Sequence, residues 1–372
     1  MTQRWVAYTF YFLLYFQSGM LLGFMPLFII EKGFSLNQFG IISSVAILSR
    51  LLVNPLVGWF ATKHYLAYKT LSVMALVSAV LFLFVAYSVK PIVILFFMLA
   101  NIISLPIRPL GDAQIISWIK QNGQNYSTLR IWGSISFLVA IMLSQGIIEQ
   151  TGLVAVPLVA SLCYMLISSI FFIGGKNSSV PKKKEKLKPV ALAIFKDMSV
   201  VGAAICQATH GIFYAYTTLL WVSKGFSITI ISYIWMCGII CEIFVFYYLS
   251  VFKLKLKEIY LIIICLIAAT IRWFGISYFE SIILILACQV LQGFTIALMQ
   301  YTLSMIWRKK ETEEEIVNAV TLYDAVSYGG LQALLVFIAS FLSLSQAFTM
   351  TGALTFIAIV LIVLQQKGNM RA

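Results

Sequence analysis

Lys32-Gly33-Phe34-Ser35 recurs unchanged as Lys224-Gly225-Phe226-Ser227, with a glycine thirteen residues before each copy, at Gly19 and Gly211. The offset of 192 is about half of the 372 residues, so the chain reads as one module written twice. Both copies lie in a chain that is 61% hydrophobic and only 10% charged, with a mean hydropathy of +0.97. A soluble domain would carry roughly 25% charged residues. The composition therefore predicts a membrane protein built as a pair of related bundles.

Stretches of about twenty apolar residues, the length that crosses a bilayer core, recur throughout. Their lengths predict twelve spans: 5–30, 38–60, 68–88, 91–118, 127–148, 152–174, 196–222, 228–252, 258–278, 281–306, 316–342 and 346–365. The first is too long for a signal-peptide core and lacks a small-x-small cleavage site, so it is expected to be retained. The predicted fold is an all-α membrane protein of twelve transmembrane helices in two six-helix halves. The halves are residues 1–175 and 191–372. Between them, 176–190 is polar and carries the basic run Lys182–Lys188, which reads as a linker. Thr312 and Glu315 have capping-box spacing, so the acidic run at 311–315 reads as a helix start.

The net charge of +13 is unevenly placed. With the N-terminus inside, one side collects Arg4, Lys63, Lys69, Lys120, the linker lysines, Lys253, Lys255, Lys257, Arg308, Lys309, Lys310, Lys367 and Arg371. The other keeps Lys32, Lys90 and Lys224. That asymmetry predicts both termini in the cytoplasm and an inner-membrane location. Membrane lipid, rather than nucleic acid, is then the expected partner of these charges. Six cysteines (163, 206, 237, 241, 265 and 288) fall inside predicted spans and read as small apolar residues. Neither a metal nor a cofactor is expected. No Gly-rich phosphate loop and no catalytic Cys–His constellation is present, which argues against an enzyme.

The layout resembles the major facilitator superfamily. The loop after helix two, Pro55-Leu56-Val57-Gly58-Trp59-Phe60-Ala61-Thr62-Lys63, keeps the proline and glycine of that family but has Thr62 where its aspartate stands. A narrower resemblance lies in the stretch Tyr126-Ser-Thr-Leu-Arg130-Ile-Trp132-Gly133-Ser134-Ile-Ser-Phe137. It is similar to the Arg-x-Trp-Gly-Ser-x-x-Phe stretch of the phenylpropionate-transporter and nucleoside:proton-symporter branch, relatives of the lactose permease. Pro106-Ile-Arg-Pro109-Leu-Gly-Asp112-Ala, His210-Gly211, Leu220-Trp221, Trp235-Met-Cys-Gly238-Ile-Ile-Cys-Glu242-Ile and Arg272-Trp273 follow the same branch in order. The resemblance implies a proton-coupled transporter that carries a small organic solute between its halves. An aromatic acid, a nucleoside and a sugar all remain open as cargo. A transport-inactive receptor or chaperone of the same fold, and an exchanger or efflux carrier, are the alternatives. The expected partners are a small-molecule substrate and protons, and the chain is expected to act as a monomer.

Ionisable residues inside a membrane cost several kcal/mol unless they face water or a partner. The spans contain Arg50, Arg108, Asp112, Arg130, His210, Glu242, Arg272 and Asp324. Glu242 falls near the middle of its helix, at the repeat position of Arg50, with which it is a candidate to pair. His210, Glu242 and Arg272 form the expected proton-coupling set, because a carboxylate near a cation and a histidine can exchange a proton near neutral pH. The resemblance adds that lactose-permease relatives use a carboxylate on helix eight and an arginine on helix nine for coupling. Arg50, Arg108, Asp112, Arg130 and Asp324 read as a charge network or gate, and a competing reading makes Arg130 or Arg108 an anchor for an anionic substrate. Tyr15, Gln17, Tyr214, Trp235, Gln289 and Gln292 are polar or aromatic at mid-helix and are candidate cavity residues. Trp5, Trp59, Trp118 and Trp307 sit near helix ends and read as an interfacial belt. Gly19, Gly23, Gly211, Gly329 and Gly330 are expected at close helix crossings.

Overall fold

The computed structural model describes residues 3–63, 67–112, 115, 126–174, 192–252, 254, 256–308 and 322–369. The chain divides into two compact units, Met1–Lys184 and Glu185–Ala372. The predicted linker, the capping box at Thr312 and Glu315 and the side chain of Arg130 lie outside the described residues.

The first unit contains α1 (Gln3–Glu31), α2 (Leu36–Lys63), α3 (Ala67–Tyr87), α4 (Ile92–Asp112), α5 (Tyr126–Thr151) and α6 (Ala155–Gly174). The second contains α7 (Met198–Ser223), α8 (Ile228–Val251), α9 (Glu258–Tyr278), α10 (Ile282–Trp307), α11 (Leu322–Ala339) and α12 (Leu344–Asn369). No strand occurs among the described residues. Eleven of these helices are long and apolar enough to cross a bilayer. The one that falls short, α7, is almost wholly buried and carries Gln207, Thr209, His210, Thr217 and Thr218. Its hydropathy is lowered by these polar groups, which are buried in the protein.

The two units repeat one packing plan. In the first, α1 packs on α5 and α6, α3 on α4 and α6, and α2 on α4. In the second, α7 packs on α11 and α12, α9 on α10 and α12, and α8 on α10.

The duplicated tetrapeptide builds the same turn twice. Gly33 (φ 87°) and Gly225 (φ 84°) occupy the left-handed region that ends a helix without a Cβ clash. Gly33 N–H donates to Ile30 O and Phe34 N–H to Ile29 O, matched by Gly225 to Val222 and Phe226 to Trp221. Ser35 and Ser227 then cap the next helices by accepting from Gln38 N–H and Ile230 N–H. Lys32 reaches Ala86 O and Ser88 O at the end of α3 (3.4 and 3.3 Å). Lys224 reaches Ile276 O, Ser277 O and Phe279 O at the end of α9 (2.7, 3.0 and 2.7 Å). Each lysine thus ties the first helix pair of its unit to the third helix, satisfying carbonyls that a helix end leaves open. Partial burial lowers the Lys224 pKa below the ordinary lysine value, against an opposing pull from Glu280.

The paired glycines mark matching crossings. A Cβ on Gly19 would meet Ala140 Cβ at 2.9 Å and Phe137 O at 3.0 Å, both on α5. A Cβ on Gly211 would run into the side chain of Gln332 on α11. Gly330 differs from expectation, since the nearest atom to a Cβ there is Ala325 O of its own segment at 3.9 Å. Trp307 also departs from the interfacial reading. It is buried, with its ring against Tyr323 (5.5 Å), whereas Trp5 is exposed as expected.

Candidate functional site

The second unit gathers polar side chains from four helices around one cation. Arg272 on α9 is fully buried. Its Nη2 donates to Gln289 Oε1 (2.9 Å) and Gln292 Oε1 (2.6 Å) on α10. Its Nη1 donates to Thr295 Oγ1 (3.2 Å) and lies 3.5 Å from His210 Nε2 on α7. The guanidinium also lies over the rings of Phe213 (4.3 Å) and Trp273 (4.7 Å). These contacts fix the plane of a group whose donors form a rigid fork. Yet the acceptors are neutral, and no carboxylate is in ion-pair contact with Arg272 among the described residues.

The negative charge arrives one step removed. Gln292 Nε2 donates to Glu242 Oε2 on α8 (3.4 Å), while Gln292 Oε1 accepts from Arg272. One amide therefore stands between the cation and the carboxylate. Glu242 is half-buried, whereas His210, Arg272, Gln289, Gln292 and Thr295 are buried.

His210 is held from both sides. Its Nδ1 lies 2.9 Å from Cys206 O, an acceptor only, which assigns the ring proton to Nδ1. Its Nε2 then accepts, facing Thr295 Oγ1 (3.2 Å) and Arg272. The ring edge rests on Trp273 (5.2 Å). His210 is brought to Arg272, and Glu242 joins them through Gln292.

Local backbone explains the reach of α10. Gly293–Leu298 is π-helical, a widened turn often found at functional sites. Gln289, Gln292 and Thr295 follow one another at three-residue intervals and converge on one guanidinium. Gly238 lets α8 come close here, since a Cβ on it would sit 2.5 Å from Gln292 Oε1 and 3.1 Å from Gln289 Oε1. A second π-helical stretch, Ala325–Leu331, lies in α11. Beside the cluster, Tyr214 stacks on Trp235 (6.3 Å, 9° between planes), and Trp235 Nε1 donates to Thr218 Oγ1.

Two donors in this cluster, Gln289 Nε2 and Arg272 Nε, have no hydrogen-bond partner among the described residues. Thr295 and the carbonyl of Cys206 are absent from the sequence-based site. The three-residue spacing from Gln289 was the signal that would have found Thr295.

The first unit distributes its charges differently. Asp112 Oδ1 accepts from Tyr11 OH (2.7 Å), and Asp112 Oδ2 lies 3.9 Å from Arg108 Nε. The Arg108 side chain is 58% exposed and lies over the ring of Tyr15 (5.6 Å). Gln17 is buried but turns back on its own helix, donating to Leu14 O and Ser18 Oγ. Arg50 is half-buried on α2, and Asp324 is exposed on α11.

This fold, with buried polar groups inside apolar helices, defines a multi-spanning all-α membrane protein of the major facilitator type. The chain belongs to the MFS_1 like family, whose sequence profile matches residues 5–364. It is 22% identical over 348 residues to the probable 3-phenylpropionic acid transporter of Escherichia coli (strain K12), covering 91% of this chain and 90% of that protein. It is similar in fold to the solved nucleoside transporter NupG (TM-score 0.79, 13% identity, 99% of this chain and 100% of that chain). It is also similar to the POT family transporter PepTSo (TM-score 0.76, 9% identity, 98% and 97%). At such identities the structural likeness is one of fold, and cargo does not follow from fold.

Proposed function

We propose that this chain is a secondary transporter that moves a small organic solute together with a proton by alternating access. The observation that carries the reading is the Glu242–Gln292–Arg272 chain. A cation buried inside apolar helices takes its nearest described negative charge through a single amide. Such a charge is expensive to leave uncompensated. Protonating Glu242 therefore changes the energy of the whole cluster, which is what coupling to a proton gradient requires. His210 and Thr295 hold the guanidinium in place. The relatives are named as transporters of 3-phenylpropionic acid and of nucleosides, which supplies the first probes.

Uptake of labelled 3-phenylpropionate and uridine into proteoliposomes under an imposed proton gradient tests the reading. Accumulation of either above its external concentration, abolished by a protonophore, is expected. Equal accumulation with sodium replaced and the proton gradient absent overturns proton coupling, and no accumulation of any kind favours a receptor of the same fold. The clustering of Lys and Arg supports an orientation with both termini and residues 176–190 in the cytoplasm and an inner-membrane location. A reporter inserted in that stretch that is active only in the periplasm overturns this orientation.

A further inference from the structure

We propose that Cys237 and Cys241 on α8 form a dithiol site for monosubstituted trivalent arsenicals, which bridge the two sulfurs and clamp the helix turn beside the Arg272 cluster. The site is chemically separate from that cluster and does not depend on what the chain carries.

Four of the six cysteines behave as small apolar residues, since Cys163, Cys206, Cys265 and Cys288 are buried. Cys237 and Cys241 differ. Both thiols are free and both residues are only half-buried. They stand four residues apart on one helix face, and their thiols interact across that turn. Cys237 Sγ also donates to Leu286 O on α10 (3.8 Å), which holds it at the edge of the contact between α8 and α10. Tyr233 and Phe244 flank the pair along the same side of α8 and are exposed. An apolar reagent therefore reaches these two sulfurs, while the other four are covered.

Spacing selects the ligand. Cβ atoms four residues apart on a helix are about 5–6 Å from each other, whereas a disulfide needs about 3.5–4.5 Å. The pair cannot close on itself while α8 stays helical, and a one-atom bridge between the sulfurs spans the difference. Among the described residues no group of three or more His, Cys, Asp or Glu is placed to hold a metal ion. An ion that takes three or four protein ligands is therefore poorly served. An arsenical with one organic substituent takes two sulfurs only. The step balances without a redox partner. In the dihydroxy form of the arsenical two As–O bonds break and two As–S bonds form. The two thiol protons leave with the hydroxyls as two waters, and arsenic stays trivalent.

The position gives the bridge a consequence. Gly238 lies between the two cysteines in sequence, and Glu242 follows Cys241 directly. A Cβ on Gly238 would sit 2.5 Å from Gln292 Oε1, and one on Gly293 would sit 2.9 Å from Cys241 O. α8 and α10 thus meet without slack over this same turn. Joining its sulfurs fixes the turn that presents Glu242 to Gln292 and opposes any cycle in which that turn must shift.

The test uses the purified full chain in detergent with phenylarsine oxide. Intact mass after desalting is expected to show one arsenical per chain, and peptide mapping of the wild type to place it on Cys237 and Cys241. Excess dimercaptopropanol should strip it, and mercaptoethanol at the same concentration should not. Cys237→Ser and Cys241→Ser should each bind at least about 100-fold more weakly, because only two neighbouring thiols make the second bond intramolecular. Cys237→Ala and Cys241→Ala repeat the loss, with thermal unfolding as the check that each variant folds. No stable adduct, an adduct kept in full by a single variant, or one mapped to the four buried cysteines overturns the site. In vesicles the adduct is expected to cost most of the uptake, dimercaptopropanol to restore it, and the doubly substituted chain to be indifferent to the reagent. Unchanged uptake by a fully bridged chain overturns the clamp. A chain that takes up neither 3-phenylpropionate nor uridine refutes transport, while the adduct, read by mass alone, still stands.

Discussion

The two halves share one scaffold and differ in where they keep their charge. The 192-residue offset sets Gly33 against Gly225, Ser35 against Ser227 and Gly19 against Gly211, and the turns, caps and crossings correspond. The same offset sets Arg272 against Val80, Gln289 against Phe97, Gln292 against Ala100 and Thr295 against Ile103. In the first half the positions equivalent to Arg272 and its three α10 partners are apolar, whereas those equivalent to His210 and Glu242 are Ser18 and Arg50. Its ion pair among the described residues, Arg108 with Asp112, is long, with the arginine mostly exposed and the aspartate partly buried. Duplication therefore preserved what holds six helices together, while chemistry was free to diverge. A charge that stays in contact with water can be loosely paired, whereas one that is fully buried must be satisfied atom by atom.

The largest expected contrast is functional. Glu242→Gln should reduce gradient-driven accumulation to the level of empty vesicles while leaving downhill exchange partly intact, because exchange needs no net proton release. Asp112→Asn, in the first half, should retain measurable accumulation. Full accumulation by Glu242→Gln in a vesicle assay would remove the asymmetry between the halves.

Next comes stability. Arg272→Met deprives Gln289, Gln292, Thr295 and His210 of a shared donor, and about 3 kcal/mol of loss is expected. Arg272→Lys should recover little of it, since a point charge cannot reproduce the fork. Arg108→Met should cost under about 1 kcal/mol, because the arginine is mostly exposed and its pair with Asp112 is long. Thermal denaturation in detergent reads both, and similar losses would break the distinction.

A smaller effect should run the other way between the halves. Gly19→Ala forces a methyl against the α5 backbone at Phe137 O, which cannot yield, and should cost about 1–3 kcal/mol. Gly211→Ala meets only the Gln332 side chain, which can turn aside, and should cost less. The smallest difference concerns the lysines. Lys224→Met gives up three short bonds, about 1 kcal/mol after allowing for solvent. Lys32→Met gives up two longer ones and should lose less. A larger shift for Lys32→Met would show that the two turns are not equivalent.

Much of the architecture was legible before any coordinate. Apolar length marked the helices, and the repeated Lys-Gly-Phe-Ser marked both turns. Of the candidate site, His210, Arg272, Gln289 and Gln292 could be picked out because polar atoms inside apolar helices are costly, and the structure joins all four directly. Glu242 could be picked out for the same reason, but the amide interposed between it and Arg272 could not. Gln17 and Trp307 show the opposite limit. By type and position each looked like a cavity or interface residue, yet Gln17 bonds its own helix and Trp307 packs inside the unit.

By itself, then, the sequence determined what short-range physics controls: helix lengths, cap chemistry at Ser35 and Ser227, left-handed glycines at 33 and 225, and the bias of Lys and Arg. Only the tertiary structure decided which side chains meet. His210, Glu242, Arg272 and Gln292 come from four helices, and their distances depend on how each helix is rotated and how closely it is approached. The gap at Gly238 and the widened turn at Gly293–Leu298 set those rotations. Neither is encoded in the hydrophobic period of a single helix, because both arise where two helices press against each other.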